Sequence, residues 1–487
     1  MALRSFFRSK ISSAIVVAAS MVGGIDPISF SLTKPPIMRG VRVLLISTYE
    51  LGRQPFGLAS PAAWLRAEGH EVTLADLSCG QLPAPALEQA SLVAFFLPMH
   101  TATRLALGVV DKVRAANPGA HLCGYGLYAP LNAERLRSAG FATVIGGEFE
   151  QPLVDLARRL ECSAPGVGQL RAFSHLKRQK FQVPDRAGLP PLASYAQLVV
   201  NGSTRRVGYT EASRGCKHEC RHCPVVPVYR GVFRIVQPEV VLEDIRRQVA
   251  AGAEHITFGD PDFLNGPGHT LRLVETLHRE WPVVTYDVTA KVEHLLKHRN
   301  LLARLKATGC LFVTSAVESF DDAVLDKLAK GHTRAGFLEA LAVTREAGLP
   351  LAPTFIPFTP WTTVDSYREF LRELVVWNLT EQVAPIQLAI RLLIPEGSLL
   401  LELPEIRGMV EPFDHEALCY PWRNAEPSVD RLAASILKSV RRADCVRASR
   451  SEIFRAIWDL AGAGILPLEE PRVARAAIPY LTEPWYC

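Results

Sequence analysis

Apolar and polar positions alternate regularly along residues 41–160, as short apolar runs separated by amphipathic segments. Runs such as VRVLLIS and SLVAFFL are almost wholly apolar, which predicts strands buried on both faces, and TRLALGVVDKVRAA has helical spacing. Strands alternating with helices predict an α/β domain with a doubly wound parallel sheet, which binds ligands at the carboxyl ends of its strands. The predicted strands span residues 41–47, 71–77, 91–97, 121–126 and 142–147.

A second alternation of apolar runs and helical segments covers residues 206–394. It contains six apolar runs, from RVGYTEA to IQLAIRLLI, with helical segments such as PEVVLEDIRRQVAAG between them. Six strand–helix units predict a partial (β/α)6 barrel with its functional groups at the carboxyl ends of the strands. The Pro- and Gly-rich residues 161–205 predict a linker, and residues 395–487 predict a mainly helical C-terminal region.

Composition and charge add few constraints to this two-part organisation. Of the 487 residues, 48% are hydrophobic and 21% are charged, which is ordinary for globular proteins. A net charge of +5, without a stripe of aromatic and basic residues, gives no reason to expect a nucleic-acid or membrane partner. Most of the ten cysteines are scattered without paired spacing, which favours a reducing cytoplasm over a secreted disulfide scaffold.

Residues 1–40 have the outline of a targeting leader, with a basic start and a short apolar run in MALRSFFRSKISSAIVVAASMVGG. The run is too short and too interrupted to span a bilayer. Met38 directly precedes the first predicted strand. We therefore favour translation from Met38, with the leader a misannotated start.

Three cysteines lie close together in SRGCKHECRHCP, directly after the first strand of the predicted barrel. Cys216, Cys220 and Cys223 have C-x3-C-x2-C spacing, and three thiolates can hold three irons of a four-iron four-sulfur ([4Fe–4S]) cluster while the fourth iron stays open. An open metal position is what a catalytic site requires. The alternative is a zinc site completed by His218 or His222, in a zinc-stabilised binding module.

This motif after the first strand of an incomplete barrel resembles the radical S-adenosylmethionine (radical SAM) superfamily. The resemblance implies a [4Fe–4S] cluster that binds SAM at its open iron and cleaves it reductively to a 5′-deoxyadenosyl radical, with electrons from a donor such as flavodoxin or ferredoxin. His222 precedes the third cysteine, where the family usually has an aromatic residue against adenine. A non-enzymatic iron–sulfur redox or oxygen sensor is the alternative from another functional class.

Three further segments resemble SAM-binding positions of the superfamily by their place in the barrel. Gly259, Asp260 and Asp262 in FGDPDF follow the second strand, where the resemblance implies contact with the SAM amino group. Glu318 in SAVES ends the fourth strand and resembles the polar residue that contacts the SAM ribose or amino acid. Arg391 in LAIRLLIPEGS lies at the sixth strand and is expected to meet the SAM carboxylate.

The domain before the barrel resembles that of the cobalamin-binding class of radical SAM proteins. Gly146, Gly147 and Glu148 in IGGEFEQPLVDL match a Gly-Gly-Glu-x-Glu turn found late in that domain. The loop after the first strand, STYELGRQPFGL, lacks the Asp-x-His-x-x-G motif that supplies the usual cobalt ligand. The sequence therefore leaves two alternatives open: the domain binds cobalamin, or it is a degenerate domain that binds no ligand. Bound cobalamin would imply a methyltransferase acting on an unactivated carbon or phosphorus of a small-molecule or peptide substrate.

The last residues, YLTEPWYC, resemble the CUAEP/CCAEP-tail group of radical SAM proteins. Tails of that group carry cysteine followed by selenocysteine or cysteine, then Ala-Glu-Pro. The resemblance implies a selenoprotein whose chain continues past Cys487 through a UGA codon, and the alternative is a frayed terminus that ends in cysteine by chance. The codon after Cys487 distinguishes the two.

Overall fold

The computed structural model describes residues 40–162, 173–445, 448–466 and 480–481. The predicted leader, apart from Gly40, and the predicted tail motif at Cys487 lie outside these residues. The described residues form an α/β fold with an N-terminal parallel sheet, a second, curled sheet and a helical C-terminal part. The predicted fold class is confirmed.

The N-terminal sheet, as far as the chain is described, has six parallel strands. They are β1 (Arg42–Ser47), β2 (Glu71–Asp76), β3 (Leu92–Phe96), β4 (His121–Tyr125), β5 (Thr143–Gly147) and β6 (Phe173–His175). Their order in the sheet is β2-β1-β3-β4-β5-β6. The direction of progression reverses between β1 and β3, and in this type of fold the ligand crevice lies outside the carboxyl ends of those two strands.

Helices cover both faces of this sheet because its strands are apolar on both sides. Leu45 belongs to one hydrophobic core and its neighbour Leu44 to another, so alternate residues of β1 pack against different layers. The helices are α1 (Phe56–Ala67), α2 (Ala84–Gln89), α3 (His100–Ala116), α4 (Ala133–Ser138) and α5 (Glu150–Glu161), with a 3-10 turn at Pro130–Asn132.

The second sheet forms a half-barrel. Its described strands are β7 (Gln197–Val200), β8 (Ser203–Thr210), β11 (His255–Phe258), β12 (Thr285–Thr289), β13 (Cys310–Glu318), β14 (Leu351–Phe355) and β15 (Tyr480–Leu481). Their order is β14-β13-β12-β11-β8-β7-β15, with parallel pairing from β8 to β14 and antiparallel pairing at the β7 edge. Two short strands, β9 (Ser213–Gly215) and β10 (Phe233–Ile235), pair as a separate antiparallel ribbon.

Helices connect the parallel strands and cover the outer face of the half-barrel. They are α6 (Val225–Tyr229), α7 (Pro238–Ala250), α8 (Pro267–Glu280), α9 (Val292–Lys297), α10 (Arg299–Ala307), α11 (Asp322–Lys327), α12 (Arg334–Glu346) and α13 (Val364–Val376). The 3-10 turns of this part are Leu192–Ser194, Phe263–Asn265, Pro385–Leu388 and Leu399–Glu402.

The concave face of the half-barrel is lined by small side chains. Val313 packs into the core beneath the helices, and its neighbour Thr314 faces the other side of the sheet. Thr314 pairs in register with Thr289, and Ala316 pairs with Thr354. These four small residues are all half-buried. The concave face therefore has space for a bound molecule at the carboxyl ends of the strands.

The sixth predicted strand, IQLAIRLLI, differs from its expected form. Residues Pro385–Leu388 form a 3-10 turn, and the remaining pairing is one parallel bridge between Phe358 and Arg391. Phe358 N donates to Ile390 O, and Leu392 N donates to Phe358 O. Pro385 lacks an N–H group and cannot extend the ladder, which explains why the apolar pattern alone overestimated this strand.

The segment predicted as a linker, 161–205, contributes strands at both of its ends. β6 extends the N-terminal sheet, and β7 forms the edge hairpin of the second sheet with β8. The apolar pattern did not reveal β6 because two of its three residues are exposed. The domain boundaries at residues 160, 205 and 394 stay predictions.

The C-terminal part is mainly helical, as predicted. It contains α14 (Pro404–Met409), α15 (Pro427–Cys445) and α16 (Arg450–Ala461). Ile436 of α15 and Phe454 and Ile457 of α16 are buried in the same core as the half-barrel helices. Among the helices described, none has the length and apolar character needed to cross a membrane.

Candidate active site

The three cysteines lie in a loop that starts from the ribbon of β9 and β10. Gly215 pairs with Phe233, and the chain then continues directly into Cys216. Gly215 has a φ of +70°, and a Cβ atom there would lie 2.2 Å from Val232 O. Because another residue would be strained and would collide with the backbone, glycine is required at the base of this loop.

The three thiols are enclosed and influence one another's ionisation. Cys220 is buried, Cys216 and Cys223 are partly buried, and none of the cysteines with described side chains is in a disulfide. Burial, together with the nearby charges of Cys220 and Cys216, raises the pKa of the Cys223 thiol to about 12. Thiolates in such surroundings need bound cations, and metal ligation requires the thiolate form. The loop therefore fits a [4Fe–4S] cluster.

A buried lysine lies beside the cysteine loop. Lys330 is 3% exposed, and its ammonium lies 3.2 Å from Glu318 Oε1. Burial opposes its ionisation, but Glu318 and the Cys220 and Cys223 thiolates raise the pKa of Lys330. A buried ammonium here offsets the negative charge of three thiolates. The sequence did not single out Lys330, because it lies in a loop after α11 without any motif.

Glu318 and His222, two predicted SAM contacts, lie together. Glu318 has a φ of +72°, which is uncommon for a residue other than glycine, and its Oε1 lies 3.2 Å from His222 Nε2. Although burial raises it, Lys330 and His222 bring the pKa of Glu318 down to about 2. The carboxylate is therefore ionised and has two partners within the protein. Its contact with SAM stays a prediction.

Asp260 and Gly259 connect the end of β11 to the start of the cysteine loop. The Asp260 carboxylate accepts a hydrogen bond from Ala212 N at 3.0 Å and another from the Ser213 hydroxyl. Burial raises the pKa of Asp260 to about 7. At Gly259 a Cβ atom would lie 1.8 Å from the Tyr209 hydroxyl oxygen. These contacts give both residues a structural role in positioning the loop.

Asp262, the third residue predicted in this segment, has one carboxylate oxygen without a hydrogen bond. Its Oδ1 accepts from Leu264 N at 3.2 Å. Its Oδ2 lies 2.6 Å from His294 Nδ1 and 3.8 Å from His218 Nε2. In the described part of the chain, the buried atoms Asp262 Oδ2, His294 Nδ1 and His218 Nε2 have no hydrogen-bond partner. Sequence reasoning did not associate His294 with the site, because it lies on α9, after the next strand.

Arg391 has its contacts with the C-terminal part of the chain. Its Nη1 lies 2.6 Å from Asp430 Oδ1, and its Nη2 donates to Trp422 O at 2.6 Å. The guanidinium carbon also lies 3.6 Å from the centre of the Trp422 ring. These contacts of Arg391 include neither Asp262 nor Glu318. Its predicted role toward the SAM carboxylate stays a prediction.

The Gly-Gly-Glu turn of the front domain packs against β6 and its neighbours. Gly147 has a φ of +72°, and a Cβ atom there would lie 2.5 Å from His175 O. A Cβ atom at Gly146 would lie 2.6 Å from Pro130 Cγ. Both glycines are therefore required for this close packing. Glu148 N donates to His175 O at 2.7 Å, and the turn is fixed to the last strand of the sheet.

Arg214, two residues before the first cysteine, pairs with both acidic residues of that turn. Its Nη1 lies 3.0 Å from Glu148 Oε2, its Nη2 lies 2.7 Å from Glu150 Oε1, and its Nε lies 2.7 Å from Glu211 Oε2. Three carboxylates share one guanidinium. Burial, with the charges of Glu150 and Glu211, raises the pKa of Glu148 to about 7 despite Arg214.

A cavity of about 730 Å³ lies between the front sheet and the cysteine loop. Pro130 and Leu131, which follow β4, and Leu176, which follows β6, line one side of it. Glu219 of the cysteine loop and Pro227 of α6 line the other side. The lining includes residues that follow β4 and β6, and the volume leaves room for part of a large cofactor such as cobalamin between the front sheet and the cysteine loop.

The half-barrel matches a known family. Residues 210–374 match the family model described as the radical SAM superfamily. Hopanoid C-3 methylase of Methylococcus capsulatus is 24% identical over 331 residues, which cover 65% of this chain and 64% of that protein. A tRNA-2-methylthio-N(6)-dimethylallyladenosine synthase of Desulfosudis oleivorans is 30% identical over 229 residues, which cover 45% of this chain and 48% of that protein. The matches thus span less than two thirds of these curated relatives.

Two solved structures align with most of this chain. The cobalamin-dependent SAM radical enzyme OxsB, solved with aqua-cobalamin and SAM bound, aligns with a TM-score of 0.68 at 14% identity, over 87% of this chain and 70% of its own. The radical SAM methyltransferase TsrM from Kitasatospora setae aligns with a TM-score of 0.56 at 16% identity, over 75% of this chain and 76% of its own. At these identities the likeness establishes a shared fold.

The three-cysteine loop lies within the part of the chain that matches the family model. Residues 210–374 thus match the radical SAM superfamily, as predicted, and the chain shares its fold with a cobalamin-dependent SAM radical enzyme. The superfamily uses a [4Fe–4S] cluster and SAM, which supports the predicted enzyme class. The resemblance to the CUAEP/CCAEP-tail group lies outside the described residues and stays a prediction.

Proposed function

We propose that the chain is a radical SAM enzyme that transfers a methyl group with the help of cobalamin. Cys216, Cys220 and Cys223 are the proposed ligands of a [4Fe–4S] cluster. When bound, such a cluster supplies the electron for reductive cleavage of SAM to a 5′-deoxyadenosyl radical. The observation that carries the proposal is the set of three enclosed thiols beside the buried ammonium of Lys330.

The protein contributes charge, position and exclusion of water at this loop. Lys330 holds positive charge against the thiolates, and Asp260 fixes the loop to β11 through Ala212 N. The ion pair of Glu318 with Lys330 holds His222 next to the third cysteine. These fixed charges act in an enclosed site, where their effect is larger than in water.

SAM is proposed to lie along the concave face of the half-barrel. The small residues Thr314 and Ala316 of β13 leave space there, and Glu318 is the last residue of the same strand. Gly259 and Asp260, which follow β11, are proposed to receive the amino group, and Arg391 the carboxylate. Since the Arg391 guanidinium already pairs with Asp430, that contact requires the pair to open.

Cobalamin is proposed to occupy the cavity between the front sheet and the cysteine loop. The loop after β1 offers no histidine for cobalt, so the binding depends on the cavity walls. The relatives named as a methylase and a methyltransferase support methyl transfer as the reaction class. The proposed substrate is a small molecule or a peptide, and the proposed electron donor is a flavodoxin or ferredoxin.

Iron content and 5′-deoxyadenosine formation test the enzyme proposal. The protein, reconstituted without oxygen and reduced in the presence of SAM, is expected to hold four irons and to form 5′-deoxyadenosine. Cys220→Ala should lose both properties, whereas Cys310→Ala, a buried cysteine at the start of β13, should keep them. A cluster without 5′-deoxyadenosine would support the sensor, and zinc without iron would support the zinc module.

Equilibrium binding of hydroxocobalamin to the reconstituted protein tests the cobalamin proposal separately. Leu176→Trp places a large side chain at the wall of the cavity and is expected to weaken binding at least tenfold. Val283→Trp, at a residue that is 83% exposed, is the matched control and should bind like the parent protein. Equal affinity in both variants, or no binding by the parent, would contradict cobalamin in this cavity.

A further inference from the structure

We propose that His218, Asp262 and His294 form a binding site for one divalent transition-metal ion, separate from the three cysteines. The three residues come from the cysteine loop, from the turn after β11 and from α9. One ligand atom of each lies within 4.8 Å of the other two. The proposal goes beyond the proposed function, because it needs neither the cluster nor SAM.

The three ligand atoms that face one another at this site make no hydrogen bond to other described groups. Asp262 is completely buried and His294 is 7% exposed. Asp262 Oδ2, His294 Nδ1 and His218 Nε2 are buried atoms without a hydrogen-bond partner among the described residues. Buried polar atoms are nearly always paired, since leaving them unpaired costs free energy. Three such atoms converging on one point therefore indicate a missing ligand.

The chemistry of the three atoms is that of a metal ligand set. Two imidazole nitrogens and one carboxylate oxygen bind zinc and other divalent transition metals, with a position left for water. Bonds of about 2.0–2.1 Å place tetrahedral ligand atoms about 3.3 Å apart. The distances from Asp262 Oδ2 are 2.6 Å to His294 Nδ1 and 3.8 Å to His218 Nε2. Both distances differ from this tetrahedral spacing by less than about 1 Å.

Polar groups lie next to two of the three ligands. Glu293 Oε2 lies 3.8 Å from His218 Nδ1, the ring nitrogen that points away from Asp262. A carboxylate behind a ligating histidine is the usual arrangement around bound metals. Leu264 N donates to the second oxygen of Asp262 and fixes that carboxylate. The nearby ammonium of Lys291 lies 3.5 Å from Glu293, which offsets its charge.

Cobalt binding to a cluster-free protein tests this site directly. The full chain with Cys216, Cys220 and Cys223 all replaced by alanine, stripped of metal, is expected to bind one equivalent of Co2+ with visible d–d absorption. Adding His294→Ala or Asp262→Asn should weaken Co2+ binding by more than about 100-fold, which exceeds the effect of losing an outer contact. His298→Ala, whose ring centre is 5.8 Å from that of His294, is the matched control and should bind normally.

Two outcomes would overturn the metal site. The first is no stoichiometric Co2+ in the cluster-free parent, and the second is equal affinity in the His294→Ala and His298→Ala variants. SAM binding is then measured with the three cysteines retained. If His294→Ala in that protein weakens the affinity for SAM, the three residues receive the SAM amino group instead. Because the parent has no cluster, failure here leaves the proposed enzyme function untouched, and failure of that function leaves this site untouched.

Discussion

Arg214 Nη1 lies 3.0 Å from Glu148 Oε2, and this contact joins the strand before the cysteine loop to the turn that follows β5 of the front sheet. Both side chains are almost completely buried, and the guanidinium carbon also lies 5.1 Å from the centre of the Phe149 ring. The pair therefore transmits the position of the front sheet to the residues that precede Cys216. A group bound at the front sheet is held in a fixed relation to the cysteine loop.

Replacing Arg214 by methionine should destabilise the protein strongly. The change leaves the ionised carboxylate of Glu150 buried without its cation, which typically costs about 3–5 kcal/mol. Urea unfolding of the metal-free protein measures the effect. Arg299→Met, which removes an exposed pair with Glu339, should change the free energy of unfolding little. Similar small effects in both variants would contradict a structural role for Arg214.

The raised pKa of Glu148 predicts a pH dependence of stability. The folded protein retains a proton on Glu148 up to about pH 7, whereas the unfolded chain loses it near the ordinary value of 4.5. Stability should therefore fall as pH rises through this window, by at most about 1.4 kcal/mol per pH unit from this group. Glu148→Gln should flatten the profile between pH 5 and pH 7, measured by urea unfolding at each pH, and an unchanged slope would contradict the assignment.

Removing the charge of Lys330 should lower the reduction potential of the proposed cluster. Lys330→Met takes away a buried positive charge near Cys220 and Cys223, so the extra electron of the reduced state is less stabilised. A shift on the order of 60 mV, about 1.4 kcal/mol for one electron, is expected from a redox titration followed by EPR. Lys330→Arg keeps the charge and should stay near the wild-type potential. A potential that is the same in both variants would exclude this role.

Gly215→Ala should disrupt the cysteine loop locally. The new Cβ atom would lie 2.2 Å from Val232 O and would require an unfavourable positive φ. Iron content after reconstitution should fall at least severalfold. Gly268→Ala, on α8 with open space around its Cα, should retain iron and gain about 0.5–1 kcal/mol of stability. Normal iron content in Gly215→Ala would show that the loop tolerates the change.

The parts of the fold with strong local patterns could be predicted from the sequence. The strand from Arg42 to Ser47 has four consecutive apolar residues at its centre, and the four later strands of the pattern were predicted in the same way, so the doubly wound sheet followed directly. The C-x3-C-x2-C spacing likewise predicted one loop at the carboxyl end of β8. The weak three-residue strand β6 and the interrupted strand at Pro385 carry no such pattern, and tertiary pairing decides both.

The contacts around the site depend on residues that are distant in sequence. Lys330 meets Glu318 through a loop that carries no motif, and His294 approaches Asp262 from a helix after the next strand. Arg214 belongs to the quoted cysteine segment, but its carboxylate partners lie in the front domain. Single-sequence patterns contain no information on such distant pairs, so these groups were found in the structure alone.

Low-temperature EPR of the reduced, anaerobically reconstituted protein, recorded with and without SAM, tests directly whether the three cysteines hold a cluster with an open iron. We expect the signal of a reduced [4Fe–4S] cluster that changes when SAM is added, because the fourth iron has no cysteine ligand. A signal that SAM leaves unchanged, or a protein that holds zinc and no cluster, would contradict it.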